Sequence, residues 1–247
     1  MLSKTIKSLL IKFPPLYEAA QTFRDRQFHK AGMLAQSFSQ HGEDVRLLNL
    51  LNDAHAQGSY IDIGCNHPFR LSNTYLLYLN GWRGLCVDPL PRFGGMFKRF
   101  RPDDIFHCAA VGEDEGEFTL FEFESDVLTT LNPDLANAYI ARGYRLRNKS
   151  YIKICTIDSL LEAHNFQPPL SLISLDIEGH EISALRSINL AYWRPLFICM
   201  EVFTADGHRN EEAIRYLADN GYNPDGDLGL NIVFRRVDQP EKHEHAN

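Results

Sequence analysis

Ile61-Asp62-Ile63-Gly64-Cys65-Asn66 is the stretch that decides the fold. Isoleucines flank an acid, and a glycine then ends the apolar run, as in a buried strand that stops at a tight turn. Around the strand expected at 60–63, similar apolar runs recur at 84–88, 105–111, 172–176, 197–202 and 231–235. Helical spacing fills the gaps at 72–79, 92–100, 157–164, 181–188 and 211–220, the last followed by Gly221 as a C-cap. Strands that alternate with helices imply an α/β, Rossmann-like domain: a mostly parallel sheet with helices on both faces.

Outside this alternation the chain changes character. In residues 1–35, an N-terminal helical appendage, Leu2, Ile6, Leu9, Leu10 and Phe13 share one helical face, and Pro14 and Pro15 end that pattern. Such a helix packs on the domain or on a second subunit as a homo-oligomer. Alternatively, with Lys4, Lys7 and Lys12 off the apolar face, it makes a peripheral contact with an anionic membrane through residues 1–13. The main domain is expected over 36–238, followed by a polar tail at 239–247. Within it, 124–150 reads as an acceptor-side insertion: a long loop or surface helix rich in Tyr139, Arg142, Tyr144, Arg145, Arg147 and Lys149. Cations beside tyrosines suit an acceptor that carries phosphate or carboxylate, or a sugar face.

A chain of 247 residues with 44% hydrophobic residues can bury a core without disulfides. Its formal charge of -7 and pI near 5.8 argue against general nucleic-acid binding. Cys65, Cys86, Cys108, Cys155 and Cys199 are odd in number, scattered and set in apolar surroundings, the usage of buried, reduced thiols in a cytoplasmic protein. No apolar run approaches the ~20 residues that span a bilayer.

Chemistry collects at the strand ends, where open parallel sheets bind ligands. Asp62 and Gly64 close one strand, and Asp88 closes the next, placed to accept both hydroxyls of an adenosine ribose. Gly64 is followed by Cys65, Asn66, His67 and Pro68, so a G-x-G-x-x-G pyrophosphate cradle is absent. That favours S-adenosylmethionine, which has no phosphates, over a nicotinamide dinucleotide. Further on, Asp176, Glu178, His180 and Glu181 crowd one strand-to-helix turn, and Glu201 ends the following strand. Crowded carboxylates raise one another's pKa, although acids at a helix start also cap it. Asp176 and Glu201 are a candidate Mg²⁺ pair; a metal-free site is the alternative.

These pieces resemble the FkbM family of S-adenosylmethionine-dependent methyltransferases. The similarity lies in Ser39-Gln40-His41-Gly42-Glu43-Asp44, the 61–66 stretch, Ser72-Asn73-Thr74 and Gly81-Trp82-Arg83-Gly84 with Val87-Asp88-Pro89. It continues in Thr156-Ile157-Asp158-Ser159-Leu160 and Asp176-Ile177-Glu178-Gly179-His180-Glu181. The resemblance runs from about residue 38 to 201 and leaves out the N-terminal appendage and the 124–150 insertion. It implies a class I methyltransferase fold, seven strands with one antiparallel edge strand, and O-methyl transfer to sugars or polyketide-like products. It also implies that Asp62, Gly64, Asn66 and Asn73 line the cofactor site, that Asp88 holds the ribose, and that Gln40 and Glu43 fold over the cofactor.

Methyl transfer to an alcohol benefits from a general base. His180 is the first candidate, because its ordinary pKa of about 6.5 suits base work near neutrality. Asp176 or Glu178 is the alternative base, or the group that orients His180. The preferred acceptor is a sugar or glycan hydroxyl, with peripheral placement at the inner face of a membrane as a further expectation. A binding protein that keeps the fold without catalysis is the rival from another class.

Overall fold

The structure is a computed structural model that describes residues 14–177, 179–203 and 209–237, with side chains from Thr22 onward. Helices α1 (Pro14–Ala35) and α2 (Glu43–Asp53) precede strand β1 (Ser59–Ile63). Then come α3 (Tyr75–Leu79), β2 (Arg83–Val87), α4 (Gly94–Phe100) and β3 (Ile105–His107). A smaller sheet holds β4 (Ala110–Val111), β5 (Gly116–Phe123) and β6 (Leu146–Cys155), with α5 (Pro133–Ala141) inserted between the last two. The chain continues through α6 (Ile157–Ala163), β7 (Leu172–Leu175), α7 (Glu181–Arg186), α8 (Leu190–Trp193) and β8 (Phe197–Glu201). It ends in α9 (Glu211–Asp219), β9 (Tyr222–Leu228) and β10 (Asn231–Arg236).

The main sheet has seven strands in the order β3-β2-β1-β7-β8-β10-β9. Strands β3, β2, β1, β7 and β8 are parallel, and β10 runs antiparallel to both β8 and β9. The antiparallel strand is therefore second from the edge, which corrects the expected edge position. The two-residue period of a strand divides the core. Ile61, Ile63, Ile173, Leu175 and Ile198 face α6, α7 and α9, whereas Tyr60, Cys86, Leu172 and Phe197 face α2, α3 and α4. Because β2 and β3 extend the sheet on one side of β1 and β7 and β8 on the other, the order in which strands are added reverses at β1. A crevice opens at such a reversal.

Several expected elements change once packing is included. The strand expected at 105–111 is two: β3 joins the main sheet, while β4 leaves it to pair with β6. Pro14 opens α1, where proline's missing N–H costs nothing, and the helix expected ahead of it lies outside the described residues. The 124–150 stretch follows the helix alternative in part and is not one long loop. It holds a 3-10 turn (Asp126–Leu128), α5 and the start of β6, and Tyr139 is buried with Phe121, Phe123 and Leu135. Strand β9 reads Tyr-Asn-Pro-Asp-Gly-Asp-Leu, a turn by composition, and it forms because an edge strand tolerates Pro224 beside an irregular register. Four cysteines are buried as expected, but Cys108 is exposed, because it lies where the chain leaves β3 for β4.

One buried charge ties the loop after β1 to the amino ends of β1, β2 and β3. Arg101, fully buried, donates through Nε to Asp104 at 2.7 Å and through its terminal nitrogens to Tyr60 Oη at 2.7 Å and Thr74 Oγ1 at 2.9 Å. It also reaches Pro68 O and Ser72 Oγ at 3.3 and 3.5 Å. Asp104 in turn accepts from Tyr60 Oη and from the Gly84 N–H at the start of β2. Removing one partner of such a group leaves the other charge buried and alone, at a cost of about 3–5 kcal/mol. Arg101→Met should therefore lower the unfolding free energy by about that much in urea titration. A loss within experimental error would show that Arg101 has no such role.

Candidate active site

A cleft of about 300 Å³ opens at the carboxyl ends of β1, β2, β7 and β8. Its shape starts at Gly64, whose φ is +79° and whose absent Cβ would lie 1.8 Å from the Asp176 carbonyl oxygen. The family resemblance implies that Gly64 lines the cofactor site. The structure gives a nearer reason for a glycine: the ends of β1 and β7 touch at this point, and any side chain would separate them.

Asp88 follows β2 and is almost entirely buried at the cleft wall. Its two oxygens accept from the Asn66 and Leu90 N–H groups, each at 2.9 Å, so the carboxylate is aimed by backbone. Burial, helped by the charge of Asp126, pushes its carboxyl up to about 7, while the two N–H bonds and Arg92 pull the other way. Val87, Leu90, Ala109 and Val111 supply an apolar wall beside it.

The start of α2 closes another side. Asp44 accepts from Ser37 Oγ, Phe38 N and Ser39 Oγ at 2.6–2.8 Å, and Glu43 accepts from His41 N at 2.7 Å. Two adjacent acids at a helix N-terminus thus hold segment 37–42 against the body, with Gln40 and Glu43 on the cleft. Asn231, first residue of β10, donates to Glu43 Oε1 at 2.9 Å. Its own Oδ1 is buried without a hydrogen-bond partner among the described residues, and the residue lines the cleft.

The turn after β7 carries Asp176 and His180 on the cleft. Glu178 lies outside the described residues. Glu181 is buried and accepts from the Ile177 and Gly179 N–H groups at 3.4 and 3.1 Å, so this acid braces the turn. His180 is half-buried, its Nε2 3.3 Å from where a Cβ on Gly112 would lie, and burial lowers its pKa. The imidazole is consequently neutral near pH 7 and able to accept a proton.

Gln40, Glu43, Gly64, Asn66, Asn73, Asp88, Asp176, His180 and Glu201 all border this one cleft. Asp62 does not. It is buried behind the wall, accepting from Thr74 Oγ1, with burial raising its carboxyl pKa against the pull of Arg101. The expected Mg²⁺ pair finds no support: among the described residues no three His, Cys, Asp or Glu side chains gather as a metal site. The insertion's cations also turn elsewhere. Arg147 pairs with Glu122 and Asp126, Arg145 with Glu124, and Lys149 lies over the Phe121 ring. The insertion reaches the cleft instead through Asp126, Val127, Thr129, Thr130 and Leu131. Sequence reasoning missed these, along with Arg70 and Asn231. The one signal for Asn231 was a polar residue opening an apolar strand.

The charge of the cleft is lopsided. Glu43, Asp88, Asp126, Asp176 and Glu201 line it, and Arg70 is the one Lys or Arg among the described lining residues. Such a wall attracts a cation and repels a pyrophosphate.

The methyltransferase FkbM domain matches residues 62–224, more than half of the chain. No curated protein matches it. A TehB-like SAM-dependent methyltransferase from Corynebacterium glutamicum is similar at 14% identity, covering 89% of this chain and 100% of that one, with a TM-score of 0.45. The 1,6-didemethyltoxoflavin-N1-methyltransferase of Burkholderia thailandensis, solved with 1,6-didemethyltoxoflavin and S-adenosylhomocysteine, is similar at 14% identity over 90% of each chain, with a TM-score of 0.36. The domain match runs from Asp62 through the strand ends that build the cleft, and on it this chain belongs to the FkbM methyltransferase family.

Proposed function

We propose that this chain is an S-adenosylmethionine-dependent O-methyltransferase that acts on a hydroxyl of a sugar or glycan. The observation that carries the cofactor is the acidic cleft with Asp88 at its wall. S-adenosylmethionine is a sulfonium with an ammonium group, and a lining whose acids outnumber its one guanidinium, even with Asp126 paired to Arg92 and Arg147, suits it, whereas a dinucleotide would bring two further negative charges. The buried Oδ1 of Asn231, next to Glu43 and without a hydrogen-bond partner among the described residues, is an acceptor suited to the ammonium. Asp88 would hold the ribose hydroxyls, and Val87, Leu90 and Val111 would flank the base.

When bound, the cofactor supplies an electrophilic methyl group. The protein must orient the acceptor oxygen and remove its proton. His180 is suited to that removal: it borders the cleft, and burial keeps it neutral near pH 7. Thr129, Thr130 and Asp126 offer hydroxyl and carboxylate partners on the insertion side, which fits an acceptor with several hydroxyls. Residues 124–150 thus remain the proposed acceptor side, through their turn rather than their cations.

Calorimetry should show binding of S-adenosylmethionine and S-adenosylhomocysteine but not of NAD; the opposite order would overturn the cofactor reading. His180→Ala should lower kcat by about 10²–10⁴ with sulfur-cofactor binding intact, measured on glycan acceptors by methyl incorporation. Unchanged turnover would remove His180 as base.

Asp88 gives a pH test. Its folded pKa, about 7, exceeds the unfolded value. The contribution of its protonated form to stability is therefore complete below about pH 4 and lost as pH rises through about 7. Asp88→Asn should remove that segment from the unfolding free energy of the ligand-free protein. In the wild type, hydrogen bonding from the ribose favours the anion, so cofactor binding should tighten as pH rises through about 7 and release a proton. Binding enthalpies compared between buffers of different ionisation enthalpy would reveal that proton, and its absence would contradict the assignment.

A further inference from the structure

Helix α1 presents two unlike faces. At about 100° per residue, Asp25, Phe28, His29 and Gly32 share one side, and all four meet the body. Asp25 pairs with His67 and Arg70, each at 3.4 Å, and His29 Nε2 is 2.9 Å from Tyr75 Oη. Phe28 packs on the Phe38–Phe69–Tyr75 cluster, and Gly32 leaves room for the Phe38 ring, which a Cβ would approach to 2.4 Å.

The opposite side has no protein cover among the described residues. Phe23 is 65% exposed and Leu34 is 78% exposed; they lie eleven positions apart, three turns on the same face. Arg26 and Lys30 are exposed between them, and Met33, also exposed, flanks the stripe. The only acid in 22–35 is Asp25, which is turned inward. The outward face is therefore apolar and cationic with no counter-charge of its own.

The rest of the chain has the opposite sign. Residues 1–35 hold six Lys or Arg against two Asp or Glu, while the remainder holds nineteen against thirty. An acidic body is repelled by an anionic surface, so approach to one must be led by the N-terminal segment. We propose that the outward face of α1 docks on an anionic phospholipid bilayer, with Phe23 and Leu34 entering the headgroup region and Arg26 and Lys30 on the phosphates. A second copy of the chain is the weaker candidate, because one helix face falls well short of the ~1,200 Å² that a stable protein interface needs. A fluid surface has no such requirement. Residues 1–13, outside the described structure, continue the composition with Lys4, Lys7 and Lys12 among Leu2, Ile6, Leu9 and Leu10.

Docking would place the body with a defined side toward the lipid. Asp25 ties α1 to Arg70, and Arg70 and Leu71 line the rim of the cleft. The cleft mouth would then lie beside the bilayer surface.

Flotation of the full chain with phosphatidylcholine vesicles, with and without phosphatidylglycerol, tests the proposal. The wild type should float only with the anionic vesicles and be released by salt. R26E/K30E should reduce the bound fraction by about tenfold or more, and F23S/L34S should also weaken it, with thermal unfolding of both variants unchanged. Absence of wild-type binding to the anionic vesicles, or binding of both variants equal to wild type, would overturn it. So would loss of a dimer in sedimentation velocity on making these substitutions without any change in flotation, which would assign the face to self-association.

Discussion

The buried guanidinium of Arg101 is the constraint on which the cleft depends. Its partners come from β1 through Tyr60, from the loop after β1 through Pro68, Ser72 and Thr74, and from Asp104 ahead of β3. Thr74 passes the connection on to Asp62, and Asp104 passes it to the start of β2. A charge sealed from water cannot tolerate partial satisfaction, so these segments are fixed together or not at all. The loop that presents Asn66 to Asp88 and Asn73 to Ser174 is shaped by that demand. Asp62, the acid at the centre of the opening stretch, belongs to this support rather than to the surface a ligand would meet.

The cleft in front of it follows the opposite electrostatic logic. Behind the wall, carboxylates are matched by Arg101 and hydroxyls; on the wall, acids outnumber cations. An excess of buried or half-buried negative charge is costly unless something cationic shares the space. The upward shift of Asp88 is that cost expressed as proton affinity. The Glu43–Asn231 pair also joins the first helix of the domain to the strand inserted near the sheet's far end, so both ends of the chain help close one side of the cleft.

What could be read from residues alone follows from range. The strand ends carrying Gly64, Asp88, Asp176 and Glu201 were legible because their signals are local: an apolar run, then a polar residue or glycine. That these ends meet at one cleft follows from parallel topology, which the alternation of strands and helices already implies. Contacts between distant segments left no such trace. Nothing near Gly64 announces that Asp176 lies against it, and nothing near Arg101 announces five partners. Strand β9 was hidden by Pro224 and Gly226, which read as a turn until β10 supplies a ladder. The insertion's cations drew attention by composition, yet acids at 122, 124 and 126, in the neighbouring strand and turn, pair with Arg145 and Arg147.

Cys108 gives the molecule a built-in reporter. Four of the five thiols are sealed in the core, and this one is exposed where the chain crosses between sheets. Its Sγ donates to the carbonyl of Pro89, the residue after Asp88, and its pKa is raised by partial burial and then by the charge of Asp88. A thiol-selective dye would thus attach at a single position without any mutation. Its rate of attachment would track the ionisation of a carboxyl that the dye itself never touches, making the chain its own probe of the cleft's electrical state.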